Sequence, residues 1–485
     1  MATGVRRMTI ILFGRAAQFL LALAMMRVAT TLLSPEEMGR MSLVTATTAF
    51  FALFLINPVG MFINRRLHAW QSSGLARHYL TRYAGYLILV AVFSAACLAI
   101  LNTAGAVNFG MPVGWLIFLI CGSLLFNTLN QTSIPSLNLL GDSGGFVLLS
   151  VATVALGFGC AALLAGLIRP AAEYWLLGLL LGQTVMAAIG TKILFVRLQA
   201  SGTATSLPAI HGRHLRALFN FAWPVAIAVG LGWVQSQGYR YFMEAQLGLA
   251  ELGLFIAGYG VSMGMIAAFE SVLTTYFQPH LYRDISMADP GRQAQAWRQY
   301  AAVVIPSLLL TVAFVVILAP ELTRIFLGDR FQSAAAYVVW GALAEAARVL
   351  TGAYSLIAHV HMRTQWLIWP NLIGAILSAV LCSMLIPVMG AAGAGIGLAV
   401  AGLAVVMAMH VMLGDRVEVH HLPIRPVLMT TALAGALWMM TIGVRHISNA
   451  AEWWFVIGIT VLIGTLYMGL QYLLLRGHLK GRKEA

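Results

Sequence analysis

The feature that most constrains this chain is a succession of long apolar runs that leaves little room for anything else. Charged residues make up only 9% of the 485 positions, against about a quarter in soluble domains. A transmembrane helix needs about 20 mostly apolar residues. Runs of that length cover residues 9–33, 36–63, 83–103, 113–139, 146–168, 174–195, 217–246, 251–277, 299–319, 334–358, 365–387, 391–413, 427–445 and 453–475. The sequence therefore predicts an all-α polytopic membrane protein with about 14 transmembrane helices, and excludes soluble enzymes and secreted scaffolds.

The distribution of Lys and Arg predicts the orientation of these spans. With the N-terminus placed inside, twenty basic residues fall in cytoplasmic segments and five in external ones, which satisfies the positive-inside rule. We expect a multi-pass protein of the bacterial inner (cytoplasmic) membrane with both termini cytoplasmic. The net charge of +13 then reflects cytoplasmic loops, so no nucleic-acid partner is expected.

Motifs for metal or nucleotide chemistry are missing from the sequence. The four cysteines lie far apart within apolar runs, where they are typical of small buried side chains. The chain carries no Walker-type loop, dinucleotide fingerprint or metal-ligand helix. We predict no metal, no cofactor and no enzymatic activity.

Two segments 214 positions apart resemble each other. Residues 33–39 (LSPEEMG) follow Arg27, and residues 247–253 (LGLAELG) follow Arg240. In each, an Arg near the outer end of one span precedes a Glu-(Met/Leu)-Gly step that opens the next. If the seventh span repeats the first, each repeat has six helices, and equivalent helices have the same orientation in the membrane. This is a parallel repeat about an axis along the membrane normal.

The first of these segments also carries a helix-start signal. Ser34 is a candidate N-cap, Pro35 a candidate first helical residue and Glu37 the acid of the first turn. We therefore expect the second span to begin at this point.

The repeat predicts the domain organisation. We expect an N-terminal six-helix lobe over 1–200, a C-terminal six-helix lobe over 201–425 related to it by pseudo-two-fold symmetry, and an extra helix pair with a basic tail over 426–485. Two such lobes around a central cavity are typical of an alternating-access carrier.

Three stretches carry a more specific resemblance. Residues 13–18 (FGRAAQ) through 33–39, residues 221–224 (FAWP) through Gly253 and Tyr259, and residues 326–328 (FLG) followed by Phe331 resemble Wzx-type polysaccharide flippases. These belong to the multidrug/oligosaccharidyl-lipid/polysaccharide exporter superfamily. The resemblance covers essentially the whole chain in layout, through short motifs.

The resemblance implies a flippase that moves polyprenyl-diphosphate-linked oligosaccharide across the inner membrane for surface polysaccharide synthesis. Expected partners are that lipid-linked sugar and membrane lipids, with a polysaccharide polymerase and glycosyltransferases as further candidates. Two alternatives stay open. A multidrug antiporter of the same superfamily is disfavoured because the first span contains no acid to attract a cationic drug. A membrane polysaccharide polymerase or ligase is disfavoured because every predicted external loop is short.

Four arginines lie inside predicted spans, where a charge is costly. Arg15 and Gln18 are three residues apart and share a helix face, so we predict that they line a wet cavity and bind an anionic headgroup; the alternative is an Arg15 that extends to the interface. Arg27 and Arg240 occupy comparable positions in the repeat and are further candidates for headgroup binding, or for interfacial anchoring.

The fourth, Arg348, lies three residues after Glu345. One hypothesis is a structural pair that neutralises itself; the other is a gate in which the Arg exchanges Glu345 for a substrate phosphate. Glu270 is a second deep acid, a candidate either for ion coupling or for a structural hydrogen bond. Pro224, followed by Gly230 and Gly232, is the best candidate for a hinge.

Overall fold

The computed structural model describes residues 2–105, 109–200, 212–277, 281, 290–361, 363–417, 424–447 and 453–481. Within these ranges the regular structure is helical and no strand occurs. By packing, the chain divides into two compact units, Met1–Gly253 and Leu254–Ala485. The assignment of six-helix lobes to 1–200 and 201–425 stays a prediction.

The first ten helices begin in the N-terminal unit. They are α1 (Ala2–Leu32), α2 (Pro35–Phe51), α3 (Asn57–Ser72), α4 (Ala76–Thr103), α5 (Val113–Gly122), α6 (Thr128–Leu139), α7 (Ser143–Leu167), α8 (Ala172–Ala200), α9 (Gly212–Gln237) and α10 (Tyr239–Val272), the last of which continues into the C-terminal unit.

Within the described ranges, further helices follow in the C-terminal unit. They are α11 (Pro290–Ile317), α12 (Ala319–Phe326), α13 (Ala335–Val360), α14 (Ile368–Met389), α15 (Ala391–Val417), α16 (Ile424–Ile447) and α17 (Trp453–Gly481).

The predicted spans are confirmed, with one local irregularity. Eleven stretches in the described ranges are long and apolar enough to cross a membrane. One of them, Arg216–Ser271, has 56 residues; at 1.5 Å per residue it would be about 84 Å long, far more than the 30 Å of a bilayer core. The chain turns at Gly238 and again at Gly248, where φ is 83°. At Gly238 the helix over the run predicted at 217–246 is locally irregular, although the Gly238 N–H still donates to the Val234 carbonyl at 3.1 Å. The two runs predicted over 217–246 and 251–277 part at Gly248, whose positive φ suits a glycine.

If that stretch is counted as two spans, the apolar stretches account for twelve of the predicted spans. The two predicted spans that remain are α1 and α13. Both carry charged residues in their interior, Arg15 and Arg27 in α1 and Glu345 and Arg348 in α13, which lower their hydropathy. Together they complete the fourteen spans that the sequence predicts.

The helix-start prediction at Ser34 is confirmed. The Ser34 hydroxyl accepts the backbone N–H of Glu37 at 3.3 Å, and Pro35 is the first residue of α2. The Glu37 carboxylate accepts a hydrogen bond from the Arg40 guanidinium at 2.7 Å and another from the backbone N–H of Ala172 at 2.7 Å. Glu37 therefore satisfies one of the N–H groups left free at the start of α8, in addition to its role in α2.

Two π-helical turns interrupt the second and fourth spans. Ala52–Ile56 lies between α2 and α3, and Ser123–Asn127 lies between α5 and α6. A π turn shifts the helical hydrogen-bond register, and such turns are frequent at functional sites. In the first of them the Leu55 carbonyl accepts a hydrogen bond from the Tyr86 hydroxyl at 2.8 Å.

A reciprocal glycine contact joins the two related sequence segments. Gly39 lies directly against the carbonyl of Leu249, and Gly253 lies directly against the carbonyl of Pro35. Leu249 follows Pro35 by 214 positions, as Gly253 follows Gly39. Contacts exchanged in this way are what a two-fold relation requires. A Cβ at either glycine would overlap a backbone carbonyl, so side chains are excluded here.

Candidate functional site

A polar cavity in the N-terminal unit contains the first two predicted site residues. It has a volume of about 290 Å³ and lies among α1, α6 and α7. Its polar lining consists of Arg15, Gln18, Asn130, Gln131, Ser150 and Thr153. We call it the Arg15 cavity. The prediction that Arg15 and Gln18 share a face is confirmed, since both line this one space.

The lining of the Arg15 cavity combines one guanidinium with amides and hydroxyls, and contains no acidic residue. Among the residues that the structure describes, no carboxylate pairs with Arg15. The Asn130 amide donates to the Thr153 hydroxyl at 3.1 Å, and that hydroxyl donates to the Leu149 carbonyl at 2.8 Å. This bond fixes α6 against α7 at the cavity wall. The cavity presents donors suited to an anion and further groups suited to hydroxyls.

The sequence prediction did not include the α6 and α7 residues of this lining. A signal for them exists: Asn130 and Gln131 are adjacent polar residues within the apolar run 113–139, and Ser150 and Thr153 lie three apart in the next run. Each pair alone is also typical of ordinary helix packing. Only their common position in the fold identifies them as cavity-lining residues.

Arg240 lies away from the Arg15 cavity. Its Nη1 donates to the Ser42 carbonyl of α2 at 3.0 Å, and its guanidinium lies 5.9 Å from the Tyr239 ring centroid. Its Nε has no hydrogen-bond partner in the described part of the chain. Arg240 thus connects the start of α10 to α2 and retains one free donor.

Arg27 lies near the end of α1 with a half-buried side chain, and it does not line the Arg15 cavity. Its carbonyl accepts hydrogen bonds from the hydroxyls of Thr30 at 3.2 Å and Thr31 at 2.7 Å. Pro224 is buried within α9, which continues on both sides of it as far as Gln237. The roles of Arg27 in headgroup binding and of Pro224 as a hinge stay predictions.

The C-terminal unit brings the remaining predicted residues together. Arg348 donates from Nε to Glu345 Oε2 at 2.7 Å, from Nη2 to Glu270 Oε2 at 2.6 Å and from Nη1 to Glu270 Oε1 at 3.4 Å. We call Arg348, Glu345 and Glu270 the Arg348 triad. The ion pair predicted between Glu345 and Arg348 is present, and Glu270 of α10 completes it from a helix distant in sequence.

The members of the Arg348 triad differ in exposure. The Glu345 side chain is 3% exposed, that of Glu270 is 28% exposed and that of Arg348 is 45% exposed. The Tyr259 hydroxyl donates to Glu345 Oε1 at 2.7 Å, so both oxygens of the buried carboxylate are satisfied. With both acids ionised the triad carries one net negative charge.

No group of three or more His, Cys, Asp or Glu side chains able to hold a metal ion occurs within the described ranges. The four cysteines are unpaired thiols, of which Cys382 is buried and the other three are half-buried.

Comparison with known proteins places the fold. No protein-family model matches the chain, and no curated protein matches it in sequence. A solved structure described as lipid II flippase MurJ in an inward closed conformation matches with a TM-score of 0.64 at 12% identity, over 97% of this chain and 99% of that one. An inward-facing multidrug resistance MATE family transporter of the MOP superfamily matches with a TM-score of 0.60 at 14% identity, over 83% and 94%.

A MATE structure in the bent conformation matches with a TM-score of 0.52 at 14% identity, over 90% of this chain and 96% of that one. At these identities the likeness is one of fold. The chain therefore has the same all-helical fold as these solved structures, as the predicted resemblance to the exporter superfamily implies.

Proposed function

We propose that this chain is a flippase that moves polyprenyl-diphosphate-linked oligosaccharide across the bacterial inner membrane by alternating access, for surface polysaccharide synthesis. The observation that carries the proposal is the Arg15 cavity, which combines a guanidinium, amides and hydroxyls and has no acid in its lining. A diphosphate attached to a sugar chain offers two anionic groups followed by many hydroxyls, and guanidinium is a natural partner for phosphate. The fold likeness to a lipid II flippase supports this choice.

The remaining site residues have assigned roles in this proposal. Arg27 and Arg240 contact the headgroup at a later stage of its passage. Pro224 is the hinge. The lobes 1–200 and 201–425 alternate, and the helix pair in 426–485 stays outside them. Glycosyltransferases act before the transfer, and a polymerase acts after it.

The membrane potential suits this direction of transport. A headgroup with about two negative charges gains about 2.3 kcal/mol per charge per 100 mV when it moves outward. The lipid tail stays in hydrocarbon, so only the headgroup needs a polar path. Coupling to an ion through the Arg348 triad is then supplementary.

For the Arg348 triad we propose the structural role first. Two carboxylates already neutralise Arg348 and accept hydrogen bonds from all three of its nitrogens, so a phosphate would have to compete with them. In the alternative, a gate, the substrate displaces Glu345 or Glu270 from Arg348.

The multidrug antiporter remains the second candidate, since multidrug transporters share the fold. The net negative charge of the Arg348 triad would attract a cation, whereas the Arg15 cavity would repel one. An enzyme is the least supported alternative, because the solved structures of like fold are transporters.

The test is reconstitution of the purified protein in vesicles with a fluorescent short-chain diphosphate-linked sugar lipid. A quencher that cannot cross the membrane reports transfer between leaflets, and ethidium uptake is measured in parallel. We expect rapid transfer of the sugar lipid and no ethidium transport. Ethidium transport without sugar-lipid transfer would replace the flippase by the antiporter.

A further inference from the structure

A second cavity in the N-terminal unit lies outside every site considered so far. It has a volume of about 320 Å³ and lies where α3 and α4 meet the first turns of α9. Six side chains of α3 and α4 give it its chemistry: Arg66, Trp70, Tyr79, Arg82, Tyr83 and Tyr86. We call it the Arg66 pocket. Apolar side chains of α3 and α9 complete the lining.

Among the described residues, those that line the Arg66 pocket include two arginines and no acid. The Arg66 guanidinium lies 4.9 Å from the ring centroid of Phe62, another residue of the pocket wall. Within the part of the chain that the structure describes, no carboxylate pairs with Arg66 or Arg82. Two guanidiniums in the lining of one pocket favour a phosphate group, which each can bind through paired N–H donors.

The other wall of the Arg66 pocket consists of aromatic rings. The rings of Trp70 and Tyr79 stack at a centroid distance of 4.3 Å, and those of Tyr83 and Tyr86 stack at 6.3 Å. The hydrogen bond from the Tyr86 hydroxyl to Leu55 holds α4 against the π turn beside the pocket. Sugar rings pack their apolar faces on aromatic rings and offer hydroxyls at their edges. The pocket thus pairs a phosphate site with a sugar-stacking wall.

The position of the pocket indicates how its ligand arrives. The α3–α4 connection lies on the side that the Lys and Arg distribution predicts to be cytoplasmic, and Trp and Tyr are enriched at the depth of lipid headgroups. A ligand presented here from the bilayer is a headgroup. The volume is near the lower end of the usual range of 300–1,000 Å³ for ligand sites, which is sufficient for a sugar phosphate.

We propose that the Arg66 pocket binds the phosphate and first sugar of a lipid-linked sugar at the cytoplasmic surface, before the headgroup enters the Arg15 cavity. The inference rests on the proposed function for its choice of lipid. Arg66 and Arg82 hold the phosphate, and Trp70 and Tyr79 contact the sugar ring.

Calorimetric titration of purified protein tests this directly. The probe is geranyl-diphosphate-linked glucose, and the background is Arg15→Ala, which removes the competing guanidinium. We expect binding to persist in this background and to fall at least tenfold in Arg66→Gln/Arg82→Gln, because each charge-assisted contact contributes about ten- to hundredfold. The matched control is Arg77→Gln, whose guanidinium lies over Phe195 and outside the pocket; its affinity should stay within twofold.

The aromatic wall has its own variants. Trp70→Leu should weaken binding of the sugar probe about two- to tenfold and leave inorganic diphosphate unaffected. Trp70→Phe keeps a ring on Tyr79 and should bind like the parent. Thermal unfolding of each variant identifies any loss caused by misfolding.

Several outcomes would overturn the inference. The first is absence of binding in the Arg15→Ala background. Inorganic diphosphate binding as tightly as the sugar probe would show a simple phosphate site, and equal competition by phosphatidylglycerol would show a general anionic-lipid site. The vesicle assay separates the two proposals. If the parent protein transfers the lipid and Arg66→Gln/Arg82→Gln transfers it equally well, the role of the Arg66 pocket is rejected and the flippase stands. If the pocket binds the probe but the parent protein transfers no lipid, the flippase is rejected and the pocket stands.

Discussion

The two units each hold an arginine within a membrane-spanning helix, and the surroundings of these residues differ. Arg348 donates from all three of its nitrogens to two carboxylates. Arg15 lines a cavity of amides and hydroxyls without an acid. Both residues interrupt apolar helices, but only Arg348 has an acid within one helical turn in the sequence. The comparison teaches that the partners of an intramembrane charge, more than its depth, indicate its role.

The energetic consequences of the two environments differ accordingly. For Arg348, the cost of removing a charge from water is offset within the protein by Glu345 and Glu270. For Arg15, it is offset only by water or by an anion that enters the cavity. Loss of Arg348 should therefore harm the fold first, and loss of Arg15 should harm transport first.

The largest expected effect is that of Arg348→Gln on stability. It leaves the 3% exposed carboxylate of Glu345 with Tyr259 as its remaining partner. Breaking a buried pair costs 3–5 kcal/mol; we expect about 3 kcal/mol here, because the Arg348 side chain is 45% exposed. The measurement is the thermal unfolding of purified protein, together with its amount in the membrane.

The double variant Glu345→Gln/Arg348→Gln sharpens the comparison. If the triad is structural, both folded protein and sugar-lipid transfer should return. Stable protein that still fails to transfer the lipid would instead identify Arg348 as a gate. If the single variant Arg348→Gln is as stable as the parent, the fold does not depend on Arg348. The contrast between Arg348 and Arg15 then fails.

The next largest effect is expected for Arg15→Ala on transport. Loss of one charge-assisted contact to phosphate is worth about 1.5–3 kcal/mol, which lowers transfer about ten- to hundredfold. The unfolding temperature should stay close to that of the parent, since no carboxylate in the described ranges loses a partner. Arg15→Lys should restore transfer only in part, because the paired N–H donors are lost. Unfolding at lower temperature with normal transfer would make Arg15 an anchor of the fold.

The smallest effect is expected for Glu270→Gln on stability. Its carboxylate is 28% exposed, and partly exposed ion pairs contribute about 0–1 kcal/mol. The matched control is Glu36→Gln, which removes another surface partner of an arginine, 2.5 Å from Arg40. Both variants should unfold within a few degrees of the parent. A loss at Glu270 as large as that at Arg348 would mean that the three residues act as one inseparable unit.

Much of the fold follows from the sequence because its determinants are local. Apolar runs locate the helices, and Ser34 with Pro35 locates the start of α2. The spacing of three residues brings Glu345 and Arg348 together on one helix face. In each case the interacting groups lie within one helical turn, so no knowledge of tertiary packing is needed.

The rest depends on contacts between helices. Glu270 joins Arg348 across 78 positions, and Asn130 reaches Thr153 across 23; no local pattern specifies either contact. The Arg66 pocket is the clearest example. In the sequence, Arg66 and Arg82 are simply part of the cytoplasmic positive charge, and only the packing of α3 on α4 places their guanidiniums beside stacked rings.

The reciprocal contact of Gly39 and Gly253 has a mechanical consequence. Helices usually pack by fitting the side-chain ridges of one into the grooves of the other, so the size of the side chains sets their separation. At Gly39 and Gly253 the Cα atoms lie directly against backbone carbonyls of the other helix. Small residues of this kind let membrane helices approach closely. The backbones themselves therefore set the separation of α2 and α10 at this crossing, and a side chain at either glycine would push the two helices apart.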